Sequence, residues 1–107
     1  MPRGSRYEIV FDELALDSIA SIEDKYDSVI RDAIETQLAF EPDVETRNRK
    51  PLQRPTALAA TWELRCGPNN RFRIFYDVAP DERVVTVLLI AVKIRNQLWI
   101  GKDKLDL

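Results

Sequence analysis

At 107 residues, 45% of them hydrophobic and 32% charged, the chain is long enough for one modest core and is read as a single domain over residues 1–107. It has no histidine and only Cys66 as a cysteine, which excludes an internal disulfide, argues against ordinary zinc or copper sites and fits a reducing cytoplasm. Net charge is −2 but uneven: residues 1–40 hold 4 basic and 9 acidic side chains, residues 41–75 hold 7 and 4, and residues 76–107 hold 5 of each.

No apolar run approaches the length of a membrane span. Met1 to Arg6 has no apolar stretch of the signal-peptide kind and reads as a short tail. Tyr7 to Phe11 reads as a strand, with Tyr7, Ile9 and Phe11 on one face. Asp12 is placed as a helix N-cap, with Phe11 and Leu16 as a hydrophobic staple. Leu16, Ile19, Ala20 and Ile22 then recur at helical spacing. Tyr26, Val29, Ile30, Ala33, Ile34 and Leu38 continue the stripe. A break near residues 23–27, with Asp24 and Asp27 as caps, divides it into two helices.

Glu41 to Ala60 reads as irregular, because Pro51 and Pro55 argue against a helix through its middle. It carries a basic run of Arg47, Arg49, Lys50 and Arg54. Contact with an RNA backbone is one role for these cations, and a solvated loop is the plainer one.

The remainder reads as a β-meander with turns at Gly67–Asn70 and Ala79–Glu82. Pairing Leu64 with Phe72 and Trp62 with Ile74 sets apolar beside apolar and Glu63 opposite Arg73. Glu63, Arg65, Arg71 and Arg73 then share one face. Pairing Tyr76 with Thr86 brings Lys93 to the same face beside Arg71. Val84 to Val92 is apolar on both sides, as a strand covered on both faces would be. In the tail, Leu98, Trp99 and Ile100 are expected to pack back onto the domain.

The order strand, two helices, basic loop, three-stranded meander and short tail resembles the RelE/ParE toxin superfamily. The nearest local likeness is Arg71-Phe-Arg-Ile-Phe-Tyr-Asp-Val78. Leu52 after Arg49-Lys50, the strand Trp62-Glu-Leu-Arg65, and Val92-Lys-Ile-Arg95 extend it over roughly the whole chain. The resemblance implies an α+β fold, with an N-terminal strand and helical hairpin packed on a small, mainly antiparallel sheet. It also implies a toxin of a type II toxin–antitoxin system, neutralised by a cognate antitoxin with an acidic or amphipathic segment. RelE-like members cut mRNA on the ribosome, as mRNA interferases that inhibit translation. ParE-like members bind DNA gyrase without cutting RNA. An inactive toxin-like module that only binds a partner is the third reading.

By the same resemblance Arg73 matches the arginine that clamps the scissile phosphate, and Arg65 a basic position on the same sheet. The strand positions where RNA-cutting members carry lysines are Thr61 and Glu63 here. Lys93, Arg95 and Trp99 match the C-terminal arginine and stacking tyrosine only loosely. Cleavage through the RNA's own 2′-hydroxyl needs a base, cations for the phosphate and a proton donor for the leaving oxygen. With no histidine, Glu63 is the candidate base, Arg65 and Arg73 are candidate phosphate clamps, and Lys93 or Arg95 is the electrostatic partner of the leaving group. Arg71 and Arg95 join the loop cations as candidate RNA contacts, and no metal or cofactor is expected. The competing role for Glu63 and Arg73 is a cross-strand ion pair contributing roughly 0.2–1 kcal/mol.

Overall fold

A computed structural model describes residues 6–53 and 59–105. The N-terminal strand β1 (Glu8–Phe11) ends at Asp12, whose Oδ2 accepts the Leu14 N–H at 3.2 Å and starts helix α1 (Glu13–Ala20). A 3-10 turn at Asp24–Tyr26 separates α1 from α2 (Asp27–Leu38). The break therefore falls where it was expected, but Asp27 does not cap. It is the first residue of α2, and its carboxylate instead pairs with Arg31 at 3.0 Å.

Five strands of the sheet are β3 (Trp62–Cys66), β4 (Phe72–Ala79), β5 (Val84–Ile94), β6 (Gln97–Ile100) and β7 (Asp103–Leu105). A short edge strand, β2 (Arg49–Pro51), lies inside the segment read as irregular. Pro51 is tolerated there because an edge strand needs no donor on its outer side. The antiparallel order is β2-β3-β4-β5-β6-β7, and β1 runs parallel to the first half of β5.

The tail holds more structure than expected. Arg95 and Asn96 at φ 53° and 71° make the tight turn from β5 into β6, and Gly101 at φ 59° begins the turn into β7. Leu98 and Ile100 pack on the second apolar cluster of the sheet, around Phe75, Leu89 and Ala91.

The register of the first hairpin differs from the expected one by two residues. Leu64 faces Ile74, Trp62 faces Tyr76, and Arg65, not Glu63, stands opposite Arg73. The cause is the connection. Gly67 at φ 80° and Asn69 and Asn70 at φ 55° and 52° wind a 3-10 turn, and this draws Arg71 out of the ladder. A Cβ at Gly67 would overlap the Phe72 ring, so glycine is required there on both counts. An even shift leaves the side chains that stay in the ladder on their expected faces. In the second hairpin Tyr76 pairs with Val87, not Thr86. A bulge beside Phe75 and Tyr76 leaves Leu88 without a partner in the ladder.

The main core lies between the helices and one face of the sheet. Ile30, Ile34 and Leu38 of α2 and Ile19 of α1 pack on Leu64, Phe72, Ile74, Tyr76, Val85, Val87 and Ile90. Helix α1 is turned differently from the expected stripe. It buries Ala15, Ser18 and Ile19 and leaves Leu16 45% exposed. A sheet-edge hydrogen bond accounts for the turn. Along that edge of β5, β1 covers Val84–Val87 and β6 covers Val92–Ile94, which leaves a gap between them. Ser18 closes it: its Oγ accepts the Ile90 N–H at 3.0 Å and donates to the Ala15 carbonyl at 2.9 Å. A sheet edge that would otherwise bury an unpaired donor thus selects a polar residue for the buried face of the helix.

Candidate functional site

Strands β3 and β4 present alternate residues to the face away from the helices. There Glu63, Arg65 and Arg73 converge. Arg65 and Arg73 are direct cross-strand neighbours, an unfavourable pairing of like charges. Glu63 resolves it. Its Oε1 accepts from Arg65 Nε at 2.8 Å and lies 3.6 Å from Arg73 Nη1. Arg73 Nε also donates to the Asn70 carbonyl at 3.2 Å. The Glu63 and Arg73 side chains are 9% and 10% exposed, whereas that of Arg65 is 40% exposed. Burial holds the Arg73 guanidinium below its usual range, Arg65 lowers it further, and Glu63 partly offsets both. Arg65 is the member of the cluster whose donors reach solvent.

The remaining candidates divide. Lys93 pairs along the ladder with Leu98 and donates its backbone N–H to the Arg71 carbonyl at 2.7 Å. Arg71 does not join the Glu63 face. The turn that removes it from the strand sends its side chain toward the helices, where Nη1 donates to the Tyr26 hydroxyl at 3.2 Å and the guanidinium lies 5.4 Å from the Tyr26 ring centre. Arg71, Lys93 and Arg95 nevertheless border one open cleft of about 340 Å³, completed by Pro68, Asn69 and Asn96.

The basic loop is divided in the same way. Arg49, expected to meet RNA, is buried: it donates to the Val44 carbonyl at 2.9 Å and to the Gln37 carbonyl at 2.7 Å. A cation thus satisfies a carbonyl at the C-terminal end of α2. Its donors hold the loop to the helix and are not offered to a ligand. Lys50 stands opposite Glu63 in the ladder but pairs with Glu45 at 3.5 Å. Arg47 is exposed, and Arg54 lies outside the described residues.

Two groups near this region, Tyr76 buried and Cys66 half-buried, serve the fold. The Tyr76 hydroxyl donates to the Pro42 carbonyl at 2.6 Å, and burial pushes its ionisation well up. Burial likewise pushes the Cys66 thiol up to about 11. The contribution of Tyr26 could not be foreseen, because 45 residues separate it from Arg71 and nothing local signals the contact.

No family model matches the sequence, and no curated protein matches it. Among solved structures the chain is similar to a chain in the crystal structure of the toxin–antitoxin complex RelBE2 from Mycobacterium tuberculosis. The TM-score is 0.69 at 22% identity, over 87% of this chain and 98% of that one. With two α-helices on a mainly antiparallel seven-stranded sheet among the described residues, the chain has the RelE-like toxin fold.

Proposed function

We propose that the protein is the toxin of a toxin–antitoxin pair and that it cuts mRNA on the ribosome without a metal or cofactor. The observation that carries this reading is the Glu63–Arg65–Arg73 cluster on the open sheet face, with one arginine still accessible to an anion. The fold shared with a chain of a toxin–antitoxin complex supports the toxin reading and a cognate antitoxin as partner.

In this proposal a backbone phosphate of the message competes with Glu63 for Arg65. Guanidinium binds phosphate through paired donors, so the exchange is favourable in kind. As Arg65 moves to the phosphate, Glu63 Oε1 loses a donor and becomes a proton acceptor. The 2′-oxygen of the preceding ribose attacks phosphorus, its proton passes to Glu63, and the bond to the 5′-oxygen breaks. Lys93 supplies the proton that the leaving oxygen takes up. Arg73, anchored by Asn70 and Glu63, positions the carboxylate.

Inducible expression in bacteria, with growth and transcript integrity scored together, tests the reading. Wild-type protein should arrest growth and cut translated transcripts. Arg65→Ala should do neither while accumulating as folded protein. Growth arrest with intact transcripts and inhibited supercoiling would instead identify a gyrase-binding toxin.

A further inference from the structure

The Gly67–Asn70 turn separates two open concavities. Pro68 and Asn69 border the basic cleft of Arg71, Lys93 and Arg95, whereas Gly67 and Asn70 border a second one of about 360 Å³. The second lies between the hairpin and α2, and Arg65, the solvent-reaching arginine of the ion cluster, forms part of its wall. Its lining is almost wholly polar. Asp32 and Thr36 stand about one turn apart on α2, both exposed. The Asn48 carbonyl accepts the Arg65 N–H at 2.9 Å, which fixes Asn48 beside β3. Among the described residues the Asp32 carboxylate, the Thr36 hydroxyl and the side-chain amides of Asn48 and Asn70 have no hydrogen-bond or ion-pair partner. Gln37 is spoken for, because its Oε1 accepts from Arg49 Nη1 at 3.3 Å. Ala33 is the one aliphatic side chain in the lining, and Cys66 adds a neutral thiol.

We infer that this pocket reads the base of the nucleotide on the 5′ side of the cut and selects a base that carries an exocyclic amine. The assignment rests on the cleavage reading and narrows its substrate. In that reading Arg65 holds the scissile phosphate and Lys93 stands at the leaving 5′-oxygen. The message therefore crosses the turn with its 3′ side over the basic cleft. The nucleotide that supplies the 2′-oxygen is left on the Arg65 side, against the polar pocket. The Asp32 carboxylate decides what fills it. A second phosphate is repelled, and a protein segment finds only Ala33 for an apolar anchor. No aromatic ring lines the pocket, so a base is held there by its edge and not by stacking. Asp32 only accepts, and the amine of cytosine, adenine or guanine donates to it. Asn48 and Asn70 each bring a donor and an acceptor for the neighbouring ring positions. Uracil has no such amine and turns carbonyl oxygens toward the carboxylate.

The test uses the full chain and fluorescein-labelled 2′-O-methyl hexanucleotides, whose blocked 2′-oxygen cannot attack, read by fluorescence anisotropy. Oligocytidylate should bind the wild type at least about fivefold more tightly than oligouridylate. Asp32→Asn, a change of equal shape at an exposed helix position, should keep the circular dichroism spectrum and bring the two affinities together. Asn48→Ala should narrow the difference as well. Lys93→Ala should weaken both oligomers and keep their ratio, because it lies on the other side of the turn. In transcripts cut by the wild type, the base 5′ of each cut should be cytosine, adenine or guanine, and Asp32→Asn should admit uridine there. The assignment is overturned if neither oligomer binds, if the wild type binds both equally, or if Asp32→Asn keeps the wild-type preference. Binding is measured apart from cleavage. A preference that Asp32→Asn abolishes, with transcripts intact, removes the cleavage reading alone, and cut transcripts without that preference remove the pocket assignment alone.

Discussion

The two faces of the sheet solve different problems with neighbouring residues of the same strands. On the helical face Leu64, Phe72, Ile74 and Tyr76 are fully or nearly fully buried, and the polar groups among them, the Ser18 and Tyr76 hydroxyls, each have a backbone partner. On the opposite face Phe75, Leu89 and Ala91 form a smaller apolar patch that gives way along β3 and β4 to Glu63, Arg65 and Arg73. One face is closed by shape. The other is held by an ion cluster whose charges one external anion could rearrange. Strand alternation therefore lets a single hairpin supply both the core and the candidate site.

Substitutions can break this division, and the largest effect is expected on the helical face. Ile30→Ala removes a side chain with no exposed surface and should cost about 4 kcal/mol in urea unfolding. On the other face, Glu63→Ala leaves Arg65 and Arg73 opposed without their carboxylate. Its cost should be about 3 kcal/mol, because breaking a buried pair strands the remaining charge. If Glu63→Ala unfolds at the wild-type urea concentration, the cluster contributes nothing to the fold and the division fails. Ser18→Ala should cost about 1–2 kcal/mol and speed hydrogen exchange at the Ile90 amide, which loses its acceptor.

The smallest effect concerns Cys66. Its thiol is raised from 9.0 to about 11 by burial. At pH 8 the native protein should react with iodoacetamide about a hundredfold more slowly than the urea-unfolded chain, whose thiolate is that much more populated. The stability linked to this group is fully present below pH 9 and is lost as pH rises through about 11. A Cys66→Ala variant should lack that slope, and equal alkylation rates for native and unfolded chains would show that the thiol is not buried.

Legibility in the sequence followed how local each cause is. The Asp12 cap, the helix break and the sharing of a face by Glu63, Arg65 and Arg73 arise from residues a few positions apart, and all were readable. The hairpin register was not, because it depends on how many residues the Gly67–Asn70 turn consumes, and the turn took Arg71 as well. That one residue explains why Arg71 was expected beside Glu63 and lies beside Tyr26. Arg49 misled for a related reason. In sequence it belongs to a run of cations, but in space it donates to the Gln37 carbonyl in the last turn of α2 and to the Val44 carbonyl in the loop beyond. The rotation of α1 followed from a gap along β5 that exists only once β1 and β6 have both paired.

The central claim is that the Glu63–Arg65–Arg73 face cuts translated RNA, and mapping of 5′ ends in a translation extract tests it most directly. Purified wild-type protein and Arg65→Ala would be added to a defined message, with and without active ribosomes. New 5′ ends that appear only with the wild type, and only on message being translated, are the expected result. A message that stays intact while wild-type protein is present and ribosomes are translating would contradict the claim.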